Sequence, residues 1–346
     1  MIRHIAPGPD GDRLRQLVNG YQGTQAIHAA VTLGVPDLLA GGARTSADLA
    51  GRTGTHEPSL YRLLRALIGL GILAEAQVDG VAGFELTDLG RLLRQDVPGS
   101  LAGWAAFVGR PYHWEAWGGL LHTVRTGEMA FAAQHGGEGV WEWRERHPEE
   151  SRIFDRAMSA VAATVARQLV EGYDFSRFAR IADIGGGEGT LLAAVLASAP
   201  ASEGLVFDLP HVVARAPDRL EAAGVADRAR VLGGSFFERV PDGYDAYVLK
   251  SILHDWDDPS STAILQAVHR AAEPGATVVI VERIIAEDGS STIAVMSDLN
   301  MMVANGGRER TMGEWRTLIG QGGFETTRAL DIGLGWSAIE AVRRDR

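Results

Sequence analysis

Cysteine is absent from the 346 residues of this chain, and lysine occurs only once, at position 250. A chain without cysteine has no disulfide framework, no thiolate nucleophile and no zinc–thiolate site, and we predict no metal site. Long apolar runs are also missing, because none approaches the ~18 residues needed to span a membrane. The first residues lack the apolar segment of a signal peptide. The sequence therefore predicts a cytoplasmic protein without a membrane partner.

Positive charge is scarce as well. The formal net charge is −11, whereas a protein that binds nucleic acid usually presents a basic face. Within residues 1–100, nine arginines stand against ten acidic residues, so few phosphate contacts are available there. We therefore predict no nucleic-acid partner. The apolar fraction of 46% and the charged fraction of 22% are typical of a globular chain with a hydrophobic core, and the length favours two domains.

The most informative stretch is the segment 180–190, which reads RIADIGGGEGT. A short apolar strand ends near Asp183, a run of glycines follows, and an apolar helical pattern begins at Thr190. Glycine at positions such as Gly185 and Gly187 allows positive φ and a close approach of the backbone to a ligand. The spacing does not fit the dinucleotide fingerprint G-x-G-x-x-G, and the absence of G-K-[ST] excludes a triphosphate-binding loop. The pattern predicts a nucleotide pocket of another type, with a helix N-terminus directed at the ligand.

Two further apolar strands end in polar residues. The stretch 204–208 ends at Asp208, at the distance where a doubly wound fold places a ribose-binding carboxylate. The stretch 245–256 contains a third strand, and His254 follows its carboxyl end. Taken singly, Asp208 is typical of a strand-end cap and His254 of a core histidine. Because open α/β sheets bind ligands outside the carboxyl ends of their strands, we expect both residues to face the ligand of the glycine loop.

Residues 12–95 form the first predicted domain, which is mainly α-helical. The pattern predicts two long amphipathic helices, a short capped helix between them and a hairpin that turns at Asp79-Gly80. Their predicted bounds are Leu14–Leu33 with a C-cap at Gly34, Thr45–Gly54, Pro58–Leu73 and Val78–Leu86. This order is typical of a winged helix, so one interpretation is a ligand-responsive, DNA-binding regulator. The acidic balance disfavours it, and the apolar helix faces favour a dimerisation domain, because symmetric dimers are the commonest assemblies.

Residues 96–175 are predicted to link the two domains through helices. The stretch 100–118 is dense in aromatic residues, and a long helix is expected over Glu149–Tyr173. These side chains either pack between domains or present a flat apolar wall to an aromatic ligand, since pockets favour domain interfaces. The candidates for such a wall are Phe107, Trp114, Phe154 and Met158.

Residues 176–346 form the second predicted domain, in which strands and helices alternate. The strands are expected at Ile181–Ile184, Leu205–Asp208, Arg230–Leu232, Ala246–Leu249, Ala276–Val281 and Ser337–Ala341. Such alternation predicts an α/β fold with a Rossmann-like, doubly wound, mostly parallel sheet that helices cover on both faces.

The motifs of this domain resemble those of the plant-type and bacterial small-molecule O-methyltransferases that use S-adenosylmethionine, the group that contains caffeate and polyketide phenol methyltransferases. DIGGGEG at 183–189, LHDWDD at 253–258 and GGRERT at 306–311 occur in the order and at the spacing of that family. The N-terminal domain is similar to its dimerisation domain. The resemblance implies S-adenosylmethionine as the cofactor, a homodimer, a small aromatic acceptor and a place in secondary metabolism such as antibiotic biosynthesis.

The resemblance also implies which residues bind the cofactor. The matched positions are Asp183, Gly185, Gly187, Asp208, Ser235, Phe236 and Lys250. The glycines would line the methionine end, and Asp208 would hold the ribose. The family's G-D-F-F stretch reads GSFF at 234–237, so Ser235 replaces the acid expected at the adenine amino group, while Phe236 would cover the ring.

In the catalytic part, the resemblance matches His254 to the general base and Glu282 and Glu309 to the carboxylates that flank it. The chemistry makes a similar demand, because a phenol with a pKa of ~10 must lose its proton as it attacks a methyl group. An imidazole with its ordinary pKa of ~6.5 is neutral and available at neutral pH. A carboxylate on its other nitrogen fixes the tautomer.

We therefore predict an S-adenosylmethionine-dependent O-methyltransferase that acts on a hydroxyl group of a small aromatic natural product. By resemblance, Met301, Met302 and Asn305 border the acceptor, although a helix cannot turn both methionines to one face. Two interpretations within the family remain, an N-methyltransferase and a member that binds the cofactor without methylating. The retained His254 and glutamates disfavour the second.

Overall fold

The computed structural model describes residues 9–288 and 290–344. These residues form two compact units. The first contains the residues up to 114 together with 148–160, and the second contains 115–147 together with those from 161 onward. The predicted linking segment 96–175 is thus divided between both units.

Helices and strands alternate along the described residues. The α-helices are α1 (Pro9–Val18), α2 (Gly20–Thr32), α3 (Val35–Leu38), α4 (Ser46–Thr53), α5 (Glu57–Gly69), α6 (Asp88–Arg91), α7 (Ala102–Val108), α8 (Pro111–Gly118), α9 (Leu120–Thr126), α10 (Ala130–Gln134), α11 (Val140–Arg146), α12 (Pro148–Gly172), α13 (Thr190–Ser198), α14 (Pro210–Val213), α15 (Ala216–Ala222), α16 (Asp258–Ala271), α17 (Thr292–Ala304) and α18 (Met312–Gln321). The strands are β1 (Leu73–Val78), β2 (Val81–Leu86), β3 (Arg180–Ile184), β4 (Glu203–Asp208), β5 (Ala229–Gly233), β6 (Ala246–Lys250), β7 (Thr277–Glu282), β8 (Ile284–Ile285), β9 (Arg310–Thr311), β10 (Phe324–Gly333) and β11 (Trp336–Arg343). Short 3-10 helices cover Ala226–Arg228 and Leu253–Asp255.

The first unit has the predicted order of helix, capped helix, helix and hairpin, with three changes of boundary. The hairpin expected over Val78–Leu86 begins earlier, at Leu73, with β1. The expected helix Leu14–Leu33 is two helices, because Asn19 lies outside helical geometry and Asn-Gly is a poor helical pair. The helix expected over Pro58–Leu73 ends at Gly69, because the chain turns at Gly71 with φ +73° and then enters β1. The hairpin β1–β2 turns at Asp79-Gly80 as predicted, and both residues have positive φ.

The core of the first unit is formed by the apolar faces of α2, α4 and α5 with the hairpin. Leu49, Leu64 and Leu67 are fully buried in it. The side chain of Thr45 caps α4 by accepting a hydrogen bond from the amide of Asp48. This core is separate from the core of the second unit.

The second unit is built on a seven-stranded sheet in the order β10-β11-β7-β6-β3-β4-β5. Strands β3 to β7 are parallel, and the hairpin β10–β11 joins β7 in an antiparallel sense. One face packs against α12, α13 and α15, and the other packs against α16 and α18. The predicted doubly wound, mostly parallel sheet is therefore confirmed. The chain passes from β3 to one side of the sheet and later returns to β6 on the other, so the ends of β3 and β6 flank a topological switch point.

The sequence analysis missed β10. Its stretch FETTRALDIG has few apolar residues, and most of its side chains are exposed or half-buried. The strand forms because β11 pairs with it along its length. None of the helices in the described ranges is long and apolar enough to cross a membrane.

A buried carboxylate ties the outer strands of the sheet to the end of α12. Glu340 on β11 accepts hydrogen bonds from the hydroxyl of Tyr173 at 2.6 Å and from Arg328 on β10 at 3.0 Å, and it also pairs with Arg177. Burial opposes ionisation of Glu340, but these donors outweigh it and lower its pKa to about 2.

Replacing Glu340 with glutamine is expected to lower the free energy of unfolding by about 1.5–3 kcal/mol at pH 7, because charge-assisted hydrogen bonds are lost. The pKa of Glu340 is lower in the folded protein than its ordinary value of 4.5. The stabilisation is therefore present above pH 4.5 and is lost as the pH falls toward 2. Denaturant unfolding of parent and variant at pH 7, 5 and 3.5 measures the difference, which should shrink only at the lowest pH.

The matched control is Glu325→Gln on the neighbouring strand, where the partner is Arg344 and both side chains are more than half exposed. An exposed pair contributes less than about 0.5 kcal/mol. Equal losses for the two variants would contradict the role given to Glu340.

Candidate active site

The glycine loop follows β3 at the switch point. Gly185, Gly187 and Gly189 have φ of +72°, +59° and +78°, which only glycine adopts without strain. The amides of Gly185 and Gly186 both donate to the carbonyl of Phe207 on β4. A Cβ atom at position 185 would lie 2.2 Å from Ile252 Cδ1, whereas a Cβ at position 187 would meet no atom within 4 Å. The backbone at Gly187 therefore borders open space.

Two carboxylates lie beside this loop. Asp208, at the end of β4, accepts the amide of Gly187 at 2.9 Å and that of Leu209 at 2.7 Å. Asp183, at the end of β3, is buried beneath the loop, and burial raises its pKa to about 7 although Lys250 opposes the rise. Burial lowers the pKa of Lys250 in turn. Asp183 and Asp208 thus lie at the carboxyl ends of β3 and β4, where the sequence predicted them, and Lys250 lies at the carboxyl end of β6.

The segment after β5 approaches the same loop. Phe236 Cε1 lies 3.8 Å from the position of a Cβ built at Gly185, and its ring contacts Trp256 edge-on at 6.3 Å between centroids. The hydroxyl of Ser235 accepts the amide of Phe237 at 3.3 Å. Ser235 is half-buried and remains a predicted adenine contact.

His254 lies in the short helix that follows β6. The chain leaves β6 through Ser251, whose φ of +55° is a strained conformation for a residue with a side chain. One oxygen of Glu282, at the end of β7, accepts the amides of Ile252 and Leu253 at 3.0 Å and that of His254 at 3.4 Å. A buried carboxylate therefore fixes the backbone of the turn that carries the histidine.

The segment 306–311 supports this turn from the other side. The amide of Arg308 donates to the carbonyl of His254 at 2.8 Å, and a Cβ at Gly307 would lie 2.0 Å from that carbonyl oxygen. The buried guanidinium of Arg310 donates to the carbonyls of Leu253 and Trp256, each at 3.0 Å. The motif GGRERT thus contributes a glycine and an arginine that hold the histidine turn.

Pairing of β8 with β9 brings the two glutamates together. β8 begins two residues after Glu282, and β9 begins immediately after Glu309. Nδ1 of His254 lies 3.0 Å from Oε1 of Glu309 and 3.4 Å from Oε2 of Glu282. The hydroxyl of Ser297 on α17 donates to the same oxygen of Glu309 at 2.7 Å. His254, Glu282 and Glu309 are therefore one buried cluster, as the family resemblance implied.

The protonation state of His254 differs from the expectation. Burial disfavours the imidazolium, but the carboxylates of Glu282, Asp255 and Glu309 outweigh it and raise the pKa of His254 to about 10. The predicted neutral imidazole at pH 7 is therefore wrong for the ligand-free protein. The prediction took the ordinary pKa of histidine, and the tertiary fold gathers three carboxylates around the ring.

Asp255 was missed, although it is adjacent to His254 in LHDWDD. Its Oδ1 lies 3.5 Å from Nε2 of His254 and accepts a hydrogen bond from Asn305 at 2.7 Å. Burial raises the pKa of Asp255, although the charges of His254 and Arg144 oppose that rise. Its position next to the predicted base in the sequence could have identified Asp255 as a site residue.

The predicted acceptor-binding residues fall in both units. In the first unit, the rings of Phe107 and Phe154 are in edge contact at 5.4 Å, and Trp114 and Met158 are half-buried. In the second, Met301 is buried on α17 and Met302 is half-exposed. The two methionines differ in exposure, as the helical geometry predicted.

Family comparison assigns residues 117–325 to the O-methyltransferase domain and residues 15–96 to the O-methyltransferase dimerisation domain. The chain is 39% identical to mitomycin biosynthesis 6-O-methyltransferase of Streptomyces lavendulae, over 96% of this chain and 94% of that protein. It is 38% identical to 8-amino-8-demethylriboflavin N,N-dimethyltransferase of Streptomyces davaonensis, over 91% and 90%. The crystal structure of LaPhzM has a TM-score of 0.92 and 38% identity, and the match covers 97% of this chain and 100% of that one.

Several other solved structures similar to this chain contain S-adenosylmethionine or S-adenosylhomocysteine. The family match covers more than half of the chain, and the relatives match it over nearly its whole length. The chain belongs to the O-methyltransferase family.

Proposed function

We propose that this protein transfers the methyl group of S-adenosylmethionine to a hydroxyl group of a small aromatic natural product, with His254 as the general base. The observation that carries the proposal is the buried pair between Nδ1 of His254 and Glu309 at 3.0 Å. This pair fixes the ring so that Nε2 is the nitrogen available to the acceptor.

The residues at the switch point fit S-adenosylmethionine. The open space beside Gly187 leaves room for a ligand against the backbone, and the partly exposed carboxylate of Asp208 suits a ribose hydroxyl. Phe236 presents an apolar ring on the same side of the loop. No phosphate group has to be bound, which agrees with the lack of a phosphate-binding motif.

When bound, S-adenosylmethionine supplies an electrophilic methyl group and, in its sulfonium, a positive charge that favours the neutral form of His254. Nε2 of neutral His254 then takes the proton of the acceptor hydroxyl as the oxygen attacks. The carboxylates of Glu309 and Glu282 stabilise the imidazolium that results, and the strained turn at Ser251 keeps the ring in place. General-base assistance of this kind contributes ~10²–10⁴-fold to the rate.

An arylamine acceptor is the alternative within the family, and the site disfavours it. A neutral amine attacks with its lone pair and loses its proton afterwards, so it requires no base as the bond forms. The buried His254–Glu309 pair therefore favours a hydroxyl acceptor. The winged-helix unit is proposed not to bind nucleic acid, because α5 carries only Arg62 and Arg65 as bases.

The proposed function is tested by incubating the protein with S-adenosylmethionine labelled in its methyl group and a panel of phenols paired with the matching arylamines. Mass spectrometry should find the label on phenols. Labelling of arylamines alone would indicate an N-methyltransferase, and cofactor binding without transfer to any aromatic would indicate a non-methylating member.

Gly187→Val is expected to abolish binding of S-adenosylhomocysteine, because the side chain enters the open space that the ligand is proposed to occupy. The control is Gly224→Val, in the turn after α15, where φ is +68° and a Cβ also meets no atom within 4 Å. Both variants lose about 1–2 kcal/mol of stability from backbone strain. Calorimetry should find parent-like affinity only for the control, and equal affinities would remove Gly187 from the cofactor site.

His254→Ala is expected to slow the chemical step by about 10²-fold or more at pH 7 while leaving cofactor affinity nearly intact. Single-turnover rates of the parent should rise with pH, because only neutral His254 accepts a proton and the surrounding carboxylates keep its pKa high. Raising the pH should partly rescue His254→Ala, because more of the phenol is ionised in solution. Overlapping pH profiles for the two proteins would exclude His254 as the base.

Glu309→Gln separates titration of His254 from titration of the acceptor. Loss of this carboxylate should lower the pKa of His254, so the pH at which the single-turnover rate rises should be lower than in the parent. The maximal rate at high pH should fall by less than in His254→Ala. His122→Ala, which removes an exposed histidine paired with Glu128, is the control and should match the parent. If the midpoint of the pH–rate profile is the same in Glu309→Gln and the parent, the group that titrates is the acceptor hydroxyl and not His254.

We also propose a homodimer formed through the first unit. Leu14, Leu17 and Val18 on α1 are 62%, 70% and 66% exposed in the single chain, an apolar surface that a second copy would cover. Light scattering at micromolar concentration should give the mass of a dimer, and Leu17→Glu should give a monomer. Val81→Glu, at an exposed position in the hairpin, should remain dimeric. A monomeric parent would refute the proposal.

A further inference from the structure

The buried cluster of His254, Glu282 and Glu309 has more carboxylate oxygens than the imidazole ring has N–H groups to donate to them. Glu282 and Glu309 both converge on Nδ1 of His254, which carries a single hydrogen, and Glu309 Oε1 at 3.0 Å accepts it. Oε2 of Glu282 lies 3.4 Å from the same nitrogen and is buried without a hydrogen-bond partner, as is Oε2 of Glu309. Both glutamate side chains have no exposed surface.

We propose that His254, Glu282 and Glu309 form a reversible site for Zn²⁺, and that the bound ion switches off the general base. Each residue contributes one ligand atom, and the three atoms lie within 4.8 Å of one another. Tetrahedral zinc with bonds of about 2.0–2.1 Å separates its ligand atoms by about 3.3 Å. The separations of 3.0 and 3.4 Å from Nδ1 to the two glutamates require only small adjustments.

The charge of the cluster favours a divalent cation. Three carboxylates, from Glu282, Glu309 and Asp255, face one imidazole ring. The other charged groups that act on the cluster are Lys250, Arg283, Arg144 and Asp298. Neither Lys250 nor the two arginines donates a hydrogen bond to Oε2 of Glu282 or to Oε2 of Glu309. A zinc ion would be bound by Nδ1 of His254, by one carboxylate oxygen of Glu282 and by one carboxylate oxygen of Glu309, with its fourth position left for water.

Zinc at Nδ1 reverses the tautomer that proton transfer requires. The ion displaces the Nδ1 hydrogen, so the proton of the neutral ring must reside on Nε2, which then cannot accept the proton of an acceptor hydroxyl. The binding claim stands without the proposed function, whereas the inhibition claim rests on it.

Calorimetry with zinc chloride and the ligand-free protein tests the binding claim. We expect one ion per chain and an X-ray absorption spectrum with one imidazole and oxygen ligands. His254→Ala, Glu282→Gln and Glu309→Gln should each weaken binding at least tenfold, and Glu309→Asp should retain part of it. Thermal unfolding establishes that each variant is folded.

His122→Ala controls for adventitious binding, because His122 and Glu128 form an exposed pair of the same residue types. It should leave the affinity unchanged. Parent-like zinc affinity in His254→Ala, or no zinc binding at a hundredfold excess of zinc over protein, would overturn the site.

In the parent, zinc should inhibit methyl transfer, and a chelator that removes the zinc should restore the activity. If zinc binds but does not slow methyl transfer, the inhibition claim is wrong. If the protein binds zinc but methylates no acceptor, the proposed function is refuted and the zinc-binding claim stands.

Discussion

The carboxylate of Glu282 is the interaction on which the rest of the site depends. It lies at the end of β7, and one of its oxygens accepts three successive amides in the turn after β6. A carboxylate buried without exposed surface is costly unless such donors are present. Because the donors are backbone groups, the carboxylate of Glu282 sets the path of the chain at His254, and the position of the imidazole ring follows from that path.

The same burial explains the charge state of the cluster. In water, the three carboxylates around His254 would each be screened, and the imidazole would titrate near its ordinary pKa. Inside the protein the attraction is stronger because the effective dielectric constant is lower. The pKa of His254 therefore rises to about 10, even though burial alone would lower it. The proposed cofactor and the proposed zinc ion would each act on this balance of charges.

The glycine loop shows the same coupling of backbone geometry to function. The amides of Gly185 and Gly186 are bound by Phe207, and that of Gly187 by Asp208, so the loop is held by the neighbouring strand β4. A Cβ at position 185 would displace Ile252, which lies in the turn that precedes His254. The glycine loop and the histidine turn are thus packed against each other.

Much of the protein follows from its sequence alone. Apolar strands that end at Asp183 and Asp208, and a third that runs toward His254, predicted the parallel sheet, because hydrophobic periodicity and strand ends are local properties. The resemblance of the motifs implied that His254, Glu282 and Glu309 meet. The family match and the sheet confirm the family and the fold.

Other features were decided only by the tertiary structure. β10 has no apolar pattern of its own and forms through pairing with β11, and the helix expected at Leu14–Leu33 is interrupted at Asn19. The sequence also could not give the pKa of His254, since that value depends on Glu282 and Glu309, from separate segments, as well as on the adjacent Asp255. Local patterns determine elements and chemistry, whereas a shifted pKa and the proposed cation site arise from distances between residues remote in the chain, and only the folded chain sets those distances.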